Sequence, residues 1–224
     1  MFVKLILIRH PETEANAKRL IYGRKESEYT EKGRASVATV VEQLSQVDIH
    51  MIYSSPLKRA LDLAKAIAES HSSDSRKIEV NVDERLQEMH FGIFENKTNE
   101  QARELYGDGF DHFLHDFANF VVPEGESLSQ VRDRAVDFLK ELLASELPEE
   151  PFEEMVKRDP IKAIERWDEE GKTVVIVAHS LVIRGALSWL LNIPLNEMWR
   201  FEIKPASIVE VSYRGGYGFL SGLR

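Results

Sequence analysis

Apolar positions along the chain switch between the spacing of buried strands and the spacing of amphipathic helices. Residues 3–8 form a nearly continuous apolar run, which is typical of a strand buried on both faces of a mainly parallel sheet. Residues 30–44, which begin at the candidate cap Thr30, carry apolar side chains at helical spacing, and the short apolar stretch 49–53 follows. This order of strand, helix and strand predicts an α/β fold.

The same alternation continues towards the carboxyl end of the chain. Ser55 followed by Pro56 predicts a helix start, because the hydroxyl can cap the helix and proline is tolerated in its first turn. The remaining predicted elements are a strand at 78–82, a strongly apolar strand at 173–178 with its crossover helix at 181–191, and a terminal hairpin of 208–213 and 217–220.

Between residues 85 and 147 the strand pattern disappears. Two capping boxes, Thr98 with Gln101 and Ser127 with Gln130, predict that this stretch holds several helices. Part of it, about 93–126, is expected to be a helical insertion. Residues 146–171 are acidic and contain three prolines, and we expect an exposed excursion there rather than a second domain.

Composition narrows the functional classes. With 43% hydrophobic and 30% charged residues, residues 1–224 are expected to form a single globular domain. The formal net charge of −9 provides no basic field for nucleic acid or an anionic membrane, so neither is expected as a partner. There are 0 cysteines, which excludes thiol catalysis and suits a reducing compartment, so a cytoplasmic location is predicted.

Imidazole and guanidinium groups fall where a ligand site is expected. Arg9 and His10 follow one predicted buried strand, and His179 follows another, at the strand ends where open α/β sheets place their ligand crevice. Arg59 lies just inside the helix that follows a third strand. These groups, together with a helix N-terminus, suit phosphate oxygens and need no metal.

The segment 7–16, with the sequence LIRHPETEAN, resembles the opening motif of the histidine phosphatase superfamily, which contains cofactor-dependent phosphoglycerate mutases and alpha-ribazole phosphatase. Five further segments resemble motifs of the same family and follow one another in the same order as in that family: 29–33, 53–60, 85–92, 124–127 and 177–184. The resemblance covers most of the chain except 146–171. It implies a three-layer α/β/α sandwich with a mainly parallel sheet, in which the helical insertion lies over the carboxyl ends of the strands.

The resemblance also implies roles for individual residues. His10 would form a phosphohistidine that water then hydrolyses, Glu88 would be the proton donor, and His179 would complete the catalytic set. The implied phosphate-binding residues are Arg9, Asn16, Arg59 and Ser180, and the candidates for further substrate contacts are Tyr22 and Gly23. No metal and no cofactor is implied, and the expected partner is a small phosphomonoester.

Three positions depart from the common family pattern. Pro11 and Ser180 stand where glycine is usual, and Tyr22 with Gly23 lies where many relatives carry a glutamine before the glycine. Pro11 removes a backbone N–H that could contact phosphate. Ser180 adds a hydroxyl that either contacts phosphate or crowds it. The substrate therefore stays open.

Several alternatives remain at the level of sequence. Glu88 as donor competes with the nearby carboxylates of Glu12, Glu14 and Glu84. The main expectation is a phosphatase. The enzymatic alternative is a phosphoglycerate mutase, which returns the phosphoryl group to bound product, and the non-enzymatic one is a regulatory module that only binds phosphorylated ligands.

Other patterns permit both a structural and a functional interpretation. His112 and His115 suggest a metal site, but a polar helix face is favoured because a complete ligand set is lacking. Arg184 is expected to be a structural ion-pair partner. An aromatic helix stripe is interpreted as core, with a pocket wall as the alternative, and its members are Phe110, Phe113, Phe117 and Phe120.

Overall fold

The computed structural model describes residues 2–73, 75–146, 154, 157–159 and 171–224. Within them lies a six-stranded sheet in the order β3-β2-β4-β1-β5-β6. The strands are β1 (Val3–Arg9), β2 (Met51–Ser54), β3 (Val80–Val82), β4 (Lys172–Ala178), β5 (Ile208–Arg214) and β6 (Tyr217–Leu223). The first four strands pair in parallel, whereas β5 and β6 are antiparallel additions at one edge. The predicted mainly parallel sheet is confirmed.

Helices cover both faces of this sheet. They are α1 (Glu14–Ala17), α2 (Glu31–Leu44), α3 (Lys58–His71), α4 (Asn99–Tyr106), α5 (Asp108–His115), α6 (Leu128–Glu146) and α7 (Ser180–Leu190). Short 3-10 helices occupy Glu84–Leu86, Gly92–Phe94 and Leu195–Arg200.

Two hydrophobic cores explain the layering. Successive side chains of a strand point to opposite faces, so β1 sends Leu5 and Leu7 into one core and Ile6 and Ile8 into the other. The first core contains the buried faces of α6 and α7, and the second contains those of α2 and α3. A continuous apolar run is therefore required in β1, and the three-layer α/β/α sandwich follows from it.

The start of α3 differs from its prediction. The helix begins at Lys58, not at Ser55. The Ser55 hydroxyl oxygen accepts the backbone N–H of Leu57 at 3.3 Å, before the helix, and forms a second hydrogen bond with the ring of His179. The Lys58 backbone N–H instead donates to a carboxylate oxygen of Glu26 at 2.9 Å, which caps the helix from a distant loop. Arg59 is thereby the second residue of α3.

The helical insertion is built as two short helices and flanking turns. The predicted capping box at Thr98 and Gln101 is present at the start of α4, and both bonds of the second box join Ser127 and Gln130 before α6. The aromatic stripe does not lie on one helix, since α5 ends at His115 and Phe117 lies in the turn that follows.

Most of the predicted acidic excursion, residues 146–171, lies outside the described residues. None of the described helices combines the length and the apolar character that a membrane crossing requires.

Candidate active site

A cavity of about 430 Å³ opens where β1 and β4 end. His10 follows β1 and His179 follows β4, and the two strands are parallel neighbours, so the two imidazoles come together. Their ring centroids lie 5.1 Å apart. The polar side of the cavity is lined by Arg9, His10, Asn16, Tyr22, Arg59, Glu88, Asn99 and Ser180.

His10 is buried and its ring orientation is defined by one hydrogen bond. Its Nδ1 lies 2.7 Å from the carbonyl oxygen of Pro11. Because a carbonyl only accepts, Nδ1 carries the hydrogen and Nε2 keeps a free electron pair. Burial, followed by the positive charges of Arg59 and Arg9, lowers the pKa of His10 well below its ordinary value of 6.5. The side chain is therefore a neutral, oriented imidazole at neutral pH, with an electron pair that could attack an electrophile.

His179 lies behind His10 and is fully buried. Its Nε2 is 2.8 Å from the hydroxyl oxygen of Ser55, while its Nδ1 has no hydrogen-bond partner among the described residues. Burial, then the charge of Arg59, lowers the pKa of His179 well below 6.5. Ser55 was noted in the sequence only as a helix cap, yet it holds this ring in place.

Arg59 is almost completely buried and is held by backbone carbonyls. Its Nη1 donates to the carbonyl of Lys25 at 2.9 Å, its Nη2 donates to the carbonyl of Gly23, and its guanidinium lies 4.6 Å from the ring centre of Tyr22. The Nε of Arg59 is buried without a partner among the described residues. The guanidinium is thus fixed by the loop, and an N–H donor stays unused.

Arg9 shows the same arrangement. Its Nη1 donates to the carbonyl of Ile203 at 2.7 Å, and its Nε is buried and unpartnered among the described residues. Buried N–H donors are normally satisfied, so the unpartnered Nε–H groups of Arg9 and Arg59 indicate a site that is completed by an acceptor-rich ligand. A phosphate oxygen is such an acceptor.

Glu88 is the one carboxylate that lines the cavity among the described residues. Its two oxygens accept the backbone N–H groups of Met89 at 3.0 Å and Leu181 at 3.3 Å, and only 6% of the residue is exposed. The three competing carboxylates lie outside the cavity lining, and they are Glu12, Glu14 and Glu84. The geometry thereby favours Glu88 over all of them.

Arg134, on α6, holds the segment that carries Glu88. It donates to the carbonyls of Arg85 at 2.6 Å and Glu88 at 3.2 Å, and it pairs with Glu126 at 2.9 Å. Burial opposes ionisation of Glu126, but the bonds from Arg134 outweigh it and lower the pKa of that carboxyl. Arg134 was not among the predicted site residues. Its position three residues after the inward-facing Val131 places it on the same helix face, and this spacing could have indicated that it points inward.

Asn16 lies at the cavity with its amide orientation defined. Its Oδ1 accepts from the backbone N–H of Thr13 at 3.1 Å and from the hydroxyl of Tyr22 at 3.3 Å. The Nδ2 donor is therefore left for a ligand. Burial raises the pKa of Tyr22, so its hydroxyl stays protonated and can donate.

Gly23 and Ser180 differ in their placement. Gly23 does not line the cavity; its carbonyl holds Arg59, and a Cβ there would lie 1.7 Å from the carbonyl oxygen of Met89. Ser180 does line the cavity, and its hydroxyl accepts a hydrogen bond from Arg184.

Arg184 differs from its prediction as an ion-pair partner. Its guanidinium makes no ion pair with a carboxylate among the described residues. It lies instead 5.3 Å from the ring centre of Trp199, and its Nε is buried without a partner there. The described residues contain no group of three or more histidine, cysteine or carboxylate side chains that could hold a metal ion. The polar helix face at His112 and His115 stays a prediction.

The rest of the cavity lining is apolar, and the predicted aromatic stripe is only part of it. Its lining residues are Leu20, Ile21, Phe91, Phe113, Leu114, Phe117, Leu181 and Trp199. Phe110 is buried in the core, whereas Phe117 reaches the cavity, so the aromatic stripe serves both of the purposes considered.

Comparisons with known proteins extend over nearly the whole chain. The model of the histidine phosphatase superfamily (branch 1) matches residues 5–150 and 144–223. Phosphoserine phosphatase 1 of Hydrogenobacter thermophilus is 30% identical over 205 residues, which are 92% of this chain and 84% of that protein. A 2,3-bisphosphoglycerate-dependent phosphoglycerate mutase of Staphylococcus haemolyticus is 27% identical over 213 residues and 90% of each chain.

A solved structure gives the same picture. Mycobacterial glucosyl-3-phosphoglycerate phosphatase superposes with a TM-score of 0.78 and 26% identity, covering 99% of this chain and 98% of that one. The shared fold therefore includes the segments that form the cavity.

Proposed function

Because this chain belongs to the histidine phosphatase superfamily and is a phosphatase of that group, we propose that it hydrolyses a small phosphomonoester in two steps, with His10 as the nucleophile. The observation that carries this proposal is the state of His10. Its Nδ1–H is bonded to Pro11, its pKa is lowered, and its Nε2 is free beside the guanidinium groups of Arg9 and Arg59.

In the first step, Nε2 of His10 attacks phosphorus and forms an N–P bond while the P–O bond to the alcohol breaks. Glu88 transfers its proton to the departing oxygen. Arg9 and Arg59, with the Nδ2 of Asn16 and the Nδ1 of His179, donate to the three phosphoryl oxygens as negative charge spreads over them. In this scheme the guanidinium groups supply the positive charge that a metal ion supplies elsewhere.

In the second step, water attacks the phosphohistidine and Glu88 accepts its proton. The N–P bond breaks, its electron pair returns to Nε2, and inorganic phosphate leaves. The Nδ1–H bond to the Pro11 carbonyl stabilises His10 while it carries the phosphoryl group, because that hydrogen is retained throughout.

Base quenching after rapid mixing with a radiolabelled aryl phosphate tests the nucleophile. We expect a base-stable, acid-labile label on His10 and none in His10→Ala, whose turnover should fall to background. His115→Ala, which removes an exposed histidine of α5, is the matched control and should be labelled like the wild type. A label on another residue, or an active His10→Ala variant, would falsify the assignment.

Product analysis separates hydrolysis from mutase activity, since both use a phosphohistidine. We expect inorganic phosphate from 3-phosphoglycerate, whose second hydroxyl would allow a mutase to isomerise it, at a rate that a chelator leaves unchanged. An isomerised ester as the main product would contradict a phosphatase, and inhibition by the chelator would contradict the metal-free mechanism.

We also propose that residues 1–224 form one domain and that the enzyme works in the cytoplasm. A family match that runs from residue 5 to residue 223 supports the first proposal. The absence of cysteine from the sequence supports the second.

A further inference from the structure

The cavity lining contains two chemically different sets of residues. The charged lining residues among those described, Arg9, Arg59 and Glu88, are electrostatic neighbours and would bind the phosphoryl group. The apolar set defines the apolar chamber, and its members are Leu20, Ile21, Phe91, Phe113, Leu114, Phe117, Leu181 and Trp199.

Two remote parts of the chain form the aromatic wall of the apolar chamber. Phe117 follows α5 in the helical insertion, while Trp199 belongs to the 3-10 helix Leu195–Arg200 beyond α7. Their ring centroids lie 5.0 Å apart and the ring planes meet at 70°. The ring centroid of Phe113 lies 4.7 Å from that of Phe117. Edge-to-face pairs of this kind provide further aromatic edges and faces for a ligand ring.

Exposure distinguishes the apolar chamber from the core. Trp199 is 55% exposed and Leu114 is 41% exposed, although both are large apolar side chains. Contiguous exposed apolar surface beside a polar cleft is typical of a ligand-binding wall. The ligand part that covers it must itself be apolar, because the wall offers a charged group no partner.

The guanidinium of Arg184 lies 5.3 Å from the ring centre of Trp199. Its Nη1 donates to the hydroxyl of Ser180, and its Nε is buried without a partner among the described residues. Arg184 does not line the cavity, so it offers the chamber no direct contact. A substrate ammonium or carboxylate, such as those of phosphoserine, would therefore lose water in the chamber without gaining an ion pair.

We propose that the apolar chamber binds the alcohol part of the substrate and that the enzyme selects phosphomonoesters of apolar, preferably aromatic, alcohols. This inference rests on the proposed function, since it takes the phosphoryl group to lie at Arg9 and Arg59. It adds Phe117 and Trp199 as residues that determine specificity.

The test compares 2-phenylethyl phosphate with ethyl phosphate. Their leaving groups are both primary alkoxides of similar basicity, so the ratio of their kcat/KM values reports chamber binding rather than intrinsic reactivity. We expect a ratio of roughly 30 to 100, the gain from burying a phenyl ring. The ratio of inhibition constants for the corresponding phosphonates, which are not hydrolysed, should show the same preference.

Trp199→Ala and Phe117→Ala should each lower this ratio about five- to tenfold, with most of the loss on the phenylethyl ester. Phe219→Ala is the matched control, because Phe219 is a partly exposed aromatic residue of β6 that does not line the cavity. It should keep the wild-type ratio. Circular dichroism of each variant verifies folding.

The possible outcomes separate the two proposals. If the phenylethyl-to-ethyl ratio is near one for both the esters and the phosphonates while hydrolysis is intact, the proposed apolar chamber is wrong and the proposed phosphatase activity stands. No hydrolysis, with the phosphonate preference retained, supports the chamber and overturns the proposed function. Preference for O-phosphoserine that is lost in Arg184→Ala overturns the chamber in favour of a carboxylate site at Arg184.

Discussion

The tautomer and the pKa of His10 are set by different neighbours. Pro11 lacks the N–H that glycine would provide at this position, but its carbonyl accepts the Nδ1–H of His10 and sets the tautomer. The departure from the family pattern therefore removes a donor and retains the acceptor that orients the nucleophile. Arg9 and Arg59 contribute through charge, since both lower the pKa of His10.

Arg59 was predicted from the sequence as a phosphate-binding residue, but the direction of its hydrogen bonds was not. Arginine often binds phosphate with both terminal nitrogens. In Arg59 these two nitrogens instead donate to the backbone carbonyls of Gly23 and Lys25 in the loop. Its free donors include Nε, which is buried at the cavity. A lysine has neither the Nε–H nor the fork that holds the loop.

Glu88 and Glu84 provide a direct test of the proton donor. We expect Glu88→Gln to slow hydrolysis of an alkyl phosphate by roughly a hundred- to ten-thousandfold, because a poor leaving group needs a proton in the transition state. The loss on para-nitrophenyl phosphate should be smaller. The rate of the first step, measured before the steady state, is the quantity to compare.

The control for this experiment is Glu84→Gln, which changes an exposed carboxylate four residues away on the same segment. It should show no difference between the two substrates. If Glu88→Gln slows the first step equally on both substrates, Glu88 is not the proton donor. If Glu84→Gln slows the alkyl phosphate more than para-nitrophenyl phosphate, Glu84 is the donor instead.

A buried carboxylate connects two of the loops around the proposed site. Glu95 is a buried carboxylate that accepts the backbone N–H groups of Gly23 at 3.1 Å, Arg24 at 3.2 Å and Phe91 at 3.2 Å. It thereby ties the loop that holds Arg59 to the segment that follows Glu88. Glu95 is a positioning residue, since it does not line the cavity.

We expect Glu95→Gln to lower stability by about 1.5–3 kcal/mol, because an amide replaces a buried carboxylate that accepts several charge-assisted hydrogen bonds. The displaced loop should also reduce kcat/KM about tenfold through Arg59. Denaturant unfolding and steady-state kinetics measure the two effects. Glu104→Gln, an exposed change on α4, should alter neither; a Glu95→Gln variant with wild-type kinetics would show that the loop keeps Arg59 in place without this carboxylate.

The pH dependence of folding is a property of the whole molecule. His10 and His179 are buried with lowered pKa values, so the folded state resists their protonation while the unfolded chain takes up protons below about pH 6.5. Each histidine should therefore reduce the free energy of unfolding by up to about 1.4 kcal/mol per pH unit as the pH falls below 6.5.

Urea unfolding between pH 7.5 and pH 5 measures this slope, and the double variant His10→Gln, His179→Gln should show a shallower one. The same lowered pKa places the acid limb of kcat/KM below pH 6.5, because His10 stays neutral down to its folded pKa. A limb at or above pH 6.5, or a slope that the double substitution leaves unchanged, would contradict the buried neutral pair.

The packing of helices on both faces of the sheet explains where the site lies. β1 needs apolar residues on both faces, because α6 and α7 cover one face while α2 and α3 cover the other. After the apolar run 5–8, the chain places its next polar groups where the strand ends, at Arg9 and His10. The position of the site is thus a consequence of how the core is built.

Local patterns in the sequence determined the order of strands and helices, the capping boxes and the ordered motifs around His10, Arg59 and His179. They suffice there because periodicity, caps and strand ends depend on neighbours in the chain. Only the tertiary structure decided that α3 starts at Lys58, since its cap is the distant Glu26.

Long-range contacts also decided the finer features of the site. Arg134 behind Glu88, Glu95 between two loops and Trp199 opposite Phe117 each act on residues tens of positions away. No periodic pattern encodes such a pairing, because it arises only when the insertion and the strand ends have packed together. The sequence by itself therefore determined which imidazole and guanidinium groups meet at the strand ends, while packing decided the shape of the apolar chamber.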